Sequence, residues 1–146
     1  MNSTTKLYER DFYAWTLKNA ELLRQGRLGE IDLEHLAEEL DSMGRSEKRE
    51  LINRLAVLLA HLLKWRIQAN RRGRSWQLTL KEQRRQTTRV LRDNPSLKPL
   101  LAEIVVEAYE DAILRAAQET GMEESAFPAG CPFTIEQILE EDFLPD

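Results

Sequence analysis

Apolar residues recur along this chain at helical spacing, and the densest run lies at its centre. In the stretch 46–69, Leu51, Leu55, Leu58, Leu62 and Trp65 fall on one stripe, and Ile52, Leu59, Leu63 and Ile67 form a second beside it. Between Leu55 and Leu63 the one polar side chain is His61. A helix apolar on most of its circumference is wrapped by others, so the pattern predicts an all-α protein: a single bundle of five to six helices around a buried central helix, over residues 1–146.

The flanking segments supply the wrapping helices. Tyr8, Phe12, Trp15, Leu22 and Leu23 predict a first helix, with Gly26 and Gly29 as stop signals. Asp32 predicts the cap of a second helix, whose buried stripe would be Leu33, Leu36, Leu40 and Met43 and whose end would be Gly44. Its other face carries Glu34, Glu38, Glu39 and Asp41, and Ser46 would then cap the central helix. A fourth helix is expected from Ser75 to about Asp93, with Trp76, Leu80, Gln83, Thr87 and Val90 or Leu91 facing inward. Two of those positions are polar, so either they find buried partners or the helix covers the core loosely. A fifth helix is expected from Ser96 to Gly121, and Thr134 with Gln137 forms a capping box for a short last one. The segment Phe127 to Phe133 (FPAGCPF) is too rich in proline and glycine for a helix and too apolar for a free loop. It is expected to plug one end of the bundle.

Composition narrows the class without naming a function. The hydrophobic share of 42%, the charged share of 32% and the net charge of −4 are those of a globular protein with a heavily charged surface. Met1 to Phe12 has no apolar stretch of a secretory signal, and the run Leu55 to Leu63 falls well short of the ~20 residues a membrane span needs. Cys131 is the one cysteine, which excludes an intrachain disulfide and suits a cytoplasmic protein.

Charge is segregated. Lys64 to Arg92 holds ten Lys or Arg against one acid, Glu82, leaving eleven bases against twenty-four acids elsewhere. Lys81, Arg85, Arg89 and Arg92 follow helical spacing and form a basic stripe. With Arg71, Arg72, Arg74 and Arg84 they make a candidate surface for anions or for an acidic partner. Paired with carboxylates such as Glu34, Glu38, Glu107 or Glu110, within a chain or between chains, these cations would serve self-association or an acidic protein surface. Facing water, with Trp65 and Trp76 as stacking groups, they would serve nucleic acid.

A second candidate is a polar pocket formed by His61, Trp65, Trp76 and Glu39. The simpler expectation for His61 is a core histidine bonded to a carbonyl or carboxylate, since an unpartnered buried imidazole is costly. Glu119, in the last turn of a helix, calls for a cationic partner, for which the arginines after residue 64 are the candidates. Asp32, His35, Glu38 and Glu39 share part of one helix, yet the chain lacks the paired Glu-x-x-His repeats of a di-iron bundle, and the acidic face reads as solvated. Nothing in the spacing supports a Cys131–His61 nucleophile dyad. No phosphate loop, zinc-protease motif or nucleophile elbow occurs. The expectation is therefore no catalytic residue, metal or cofactor, with a hydrolase or metalloenzyme site near His61 as the third reading behind interaction module and nucleic-acid accessory protein.

Seven ordered motifs carry a resemblance. DFYAW at 11–15, LAEEL at 36–40, HLLKW at 61–65, SW at 75–76, PSLKP at 95–99, ETGM at 119–122 and FPAGCPF at 127–133 resemble the family catalogued as domain of unknown function 29, small bacterial proteins. The resemblance spans nearly the whole chain. It implies an all-helical, single-domain, intracellular protein and brings no catalytic residue, cofactor or partner to any position.

Overall fold

The computed structural model describes residues 3–146, and among them six α-helices and no strand occur. The helices are α1 (Ser3–Arg10), α2 (Phe12–Arg24), α3 (Leu33–Ile67), α4 (Arg74–Asp93), α5 (Leu101–Thr120) and α6 (Ile135–Leu139). The protein is all-α, as the periodicity predicts. Two compact units make it up, one ending at Arg45 and the other Ser46–Asp146, and α3 contributes to both.

The second unit holds the large hydrophobic core. Leu51, Leu55, Leu58, Leu59, Leu62 and Leu63 of α3 are fully buried with Leu80 of α4, Ile104 and Ala108 of α5 and Ile138 of α6. The proline- and glycine-rich segment joins this core through Phe127 and Phe133. It is pinned where the Tyr109 hydroxyl donates to the Pro128 carbonyl at 2.6 Å. Thr134 and Gln137 form the reciprocal capping box of α6. Phe133 and Ile138 are buried on either side of that cap, Phe143 packs edge-on against Phe133, and Pro145 is buried.

In the first unit, α1 and α2 pack on each other, and Tyr8, Phe12 and Trp15 form an aromatic cluster. The single first helix expected here is two. Asp11 breaks it, leaving helical φ/ψ and accepting the Ala14 amide at 3.0 Å as the cap of α2. Asp32 caps α3 as expected, accepting the His35 amide at 3.4 Å.

A larger correction concerns Gly44 and Ser46. They end and start nothing, because α3 runs unbroken through both for 35 residues. A glycine stops a helix when its backbone turns left-handed. Gly26 and Gly121 do so at φ 70° and 73° and close α2 and α5, whereas Gly44 keeps φ negative. In a helix interior glycine costs only ~1 kcal/mol against alanine, which neighbouring turns outweigh. The expected buried stripe of this segment is also overturned: Leu33, Leu40 and Met43 are 66%, 59% and 64% exposed.

Two helix starts shift as well. Gly73, not Ser75, is the cap of α4. Pro95–Leu100 forms a 3₁₀ segment, and α5 proper begins at Leu101 rather than after Ser96. Pro95 opens that segment and Pro99 lies within it. On the inner face of α4, Thr87 is fully buried, and neither its hydroxyl nor the Gln83 carbonyl oxygen has a partner among the described residues.

Candidate functional site

The outer face of α4 is a cationic ridge. Its helical spacing sets Arg74, Lys81, Arg85, Arg89 and Arg92 on one side of the helix, all exposed. Lys81, Arg84, Arg85, Arg89 and Arg92 line a groove of about 420 Å³ together with Thr88, Leu139 and Glu141. Among the described residues, Lys81, Arg85 and Arg89 make no ion pair, and the contact of Arg92 is a long 3.9 Å approach to the neighbouring Asp93. Within the second unit, the expected pairing with Glu107 or Glu110 does not form among the described residues. Like charges spaced by single helical turns repel one another, so this ridge raises a positive potential that an anion would relieve.

Arg84 departs from its neighbours. It is 4% exposed, and its guanidinium donates to the carbonyls of Ile138, Gln137 and Glu141 at 2.9, 3.2 and 3.2 Å. Burial lowers its pKa from the ordinary arginine value, while Glu140 and Asp142 act in the opposite sense. Arg84 is thus the floor of the groove and the clamp on the end of α6, with its fork already engaged. A readable signal existed: Leu80, Arg84, Thr87 and Leu91 are spaced i, i+4, i+7, i+11, which puts Arg84 on the buried stripe.

Arg71 is exposed, while Arg72 is turned inward. Its Nε donates to the Trp65 carbonyl at 2.6 Å, and its guanidinium lies 5.5 Å from the Trp65 ring centre. Neither tryptophan is free to stack on a base. Trp65 is buried, and Trp76 packs edge-on to His61 at 6.4 Å with the Lys64 ammonium 5.1 Å from its ring centre. Lys64, not an arginine, supplies the cation for Glu119. His61 Nδ1 donates to the Val57 carbonyl one turn back at 3.0 Å, and burial lowers its pKa, keeping the ring neutral. These contacts make His61, Trp65 and Trp76 a packed polar seam of the second unit.

Glu39 belongs to the first unit. It accepts the Tyr8 hydroxyl at 2.5 Å and lines a cavity of about 280 Å³ with Tyr8, Glu38, Asp41, Ser42 and Arg45. That hydrogen bond, with burial and nearby carboxylates, pushes the Tyr8 pKa up to about 12. Below it, Asp32 is buried and accepts both Trp15 Nε1 at 2.9 Å and His35 Nδ1 at 2.7 Å, while its own amide donates to Asn19 Oδ1 at 3.0 Å. The His35 ring stacks on Tyr8 with centres 3.8 Å apart. Asp32 and His35 are therefore structural hubs, not part of a solvated acidic face. Among the described residues no three His, Cys, Asp or Glu side chains gather as a metal-binding group. The Cys131 thiol donates to the Phe133 carbonyl at 3.5 Å, and burial pushes its pKa up, away from a reactive thiolate.

The Asp32–His35 pair predicts a pH dependence. Its bond to Asp32 raises the His35 pKa, so that stabilisation is complete below about pH 6.5 and is lost as pH rises through the raised value. Burial would raise the Asp32 pKa, but the bonds from His35 and Trp15 prevail and lower it. Its share is present above about pH 3.9 and lost as pH falls through the lowered value. Denaturant melts across pH should show stability declining as pH rises above about 6.5, and His35→Gln should remove that decline and shrink the acid limb, because the bond that does most to lower the Asp32 pKa is weakened. A His35→Gln profile parallel to the wild type would contradict the assignment.

The fold and the site define a helical protein with an exposed cationic ridge along α4. The chain belongs to the family described as domain of unknown function DUF29, whose model matches residues 7–144. No curated protein and no solved structure matches it. No helix among the described residues is long and apolar enough to cross a membrane.

Proposed function

We propose that this protein is a non-catalytic helical interaction module whose working surface is the cationic ridge of α4 and whose partner presents carboxylates along a helix. The observation that carries the reading is that, among the described residues, Lys81, Arg85 and Arg89 make no ion pair, although the chain carries twenty-five acids. Turn-by-turn spacing of about 6 Å along α4 matches carboxylates at the same helical interval. Arginine favours the bidentate geometry a carboxylate offers. A bacterial cytoplasm suits the single, half-buried thiol.

Nucleic acid is the competing ligand, and it lacks a stacking platform: Trp65 and Trp76 are engaged elsewhere, and Leu139 is the one large apolar side chain of the groove. Fluorescence anisotropy separates the two, with a labelled helical peptide bearing glutamates one turn apart and labelled single-stranded RNA and DNA, each at low and physiological salt. The expected result is peptide binding that Arg85→Glu with Arg89→Glu abolishes, and weak nucleic-acid binding. Tight RNA or DNA binding with a log–log salt slope of about −0.7 per phosphate, and no peptide binding, would overturn the reading.

A further inference from the structure

Resting on that reading, we infer that the acidic helix taken by α4 is α5 of a second copy of this chain. The exposed ridge of α5 carries Glu103, Glu107, Glu110 and Asp111, followed by Leu114, which is 55% exposed. Like the α4 cations, none of these carboxylates has an ion-pair partner among the described residues. Both ridges lie in the second unit.

Their spacings are complementary when read in opposite directions. Along α4, Leu78, Lys81, Arg85 and Arg89 advance by three, four and four residues, and Leu78 is 50% exposed. Backwards along α5, Leu114, Asp111, Glu107 and Glu103 advance by the same three, four and four. Two antiparallel helices in this register set Leu78 on Leu114, Lys81 against Glu110 and Asp111, Arg85 against Glu107, and Arg89 with Arg92 against Glu103. A shallow groove on α5 lined by Asp111, Leu114, Arg115 and Gln118 receives the Leu78 end. In the parallel orientation the leucines separate and the charges lose this match, so complementarity selects both partner and direction.

Where α4 of each copy meets α5 of the other, the two contacts form reciprocally, the interface is isologous and it closes into a two-fold dimer. The matched stretch of α4 is about 20 Å long, which makes a small interface governed by charge and therefore weak and salt-sensitive.

Sedimentation of the full chain at micromolar concentration, at low and high salt, tests this. The wild type should associate at low salt and dissociate at high salt. Arg85→Glu with Arg89→Glu, and separately Glu103→Lys with Glu107→Lys, should each weaken association at least about a hundredfold, because like charges then face each other. Mixed together, the two variants restore complementary ridges and should associate again. Far-UV circular dichroism confirms that both stay folded, as expected for exposed positions. A wild type that remains monomeric, or a mixture that fails to associate, overturns the inference. If the labelled acidic peptide still binds in those cases, the ridge keeps its proposed role and the second copy alone is excluded; if the peptide fails too, both fall.

Discussion

Leu58→Ala should destabilise the protein by about 2–5 kcal/mol in urea melts, while Leu40→Ala on the same helix should change stability by less than about 0.5 kcal/mol. Both are leucines of α3, so helix propensity falls out of the comparison. Leu58 is fully buried among Leu55, Leu59, Leu62 and the α5 residues of the core, and its truncation removes transfer energy and leaves a cavity that close-packed neighbours fill only in part. Leu40 is 59% exposed and has little to lose. A loss under about 1 kcal/mol at Leu58 would mean that the second half of α3 is not the axis of the core.

That contrast also marks how much of the fold is legible in the residues. From Leu51 to Trp65 apolar side chains surround the helix, and no alternative burial is consistent with them, so the core follows from sequence. From Leu33 to Met43 the stripe is narrow and obeys the same spacing, yet it faces water. Periodicity reports which residues share a face; it does not report whether another element arrives to cover that face. The Gly44 misreading has the same root, since a glycine permits a left-handed turn without requiring one, and only the tertiary context at Gly26 and Gly121 calls for it.

The cationic ridge was legible as a stripe, and its unpaired state was not. Pairing depends on where the acids of other elements lie, and within the second unit Glu107 and Glu110 are exposed on α5 and form no ion pair among the described residues. The tryptophans misled in the opposite sense. Proximity in sequence to the ten arginines and lysines of Lys64–Arg92 suggests a stacking surface, but Trp65 lies on the buried side of α3 and Trp76 on the half-buried side of α4. Lys64 shows the same sorting, for it is buried against Trp76 and Glu119 and adds nothing to the ridge.

Arg84 is where ridge and core meet, and its removal should have the second large effect. Arg84→Ala should cost about 2–4 kcal/mol, because three charge-assisted hydrogen bonds disappear together and the carbonyls of Gln137, Ile138 and Glu141 lose their shared donor. The Gln137 and Ile138 carbonyls belong to the last turn of α6, a helix of five residues that has no other means of satisfying them from within, and Glu141 lies just beyond its cap. Hydrogen exchange should therefore quicken first across Ile135–Leu139, ahead of the α3 core. Arg84→Lys should recover only part of the loss, since an ammonium keeps the charge but cannot span three acceptors with a planar fork. The ridge offers the control: Arg85→Ala, one residue on and fully outside the core, should leave stability within about 0.5 kcal/mol and weaken association instead. Equal stability losses at the two positions would show that Arg85 too is structural, and would remove the unpaired charge on which the interaction reading depends.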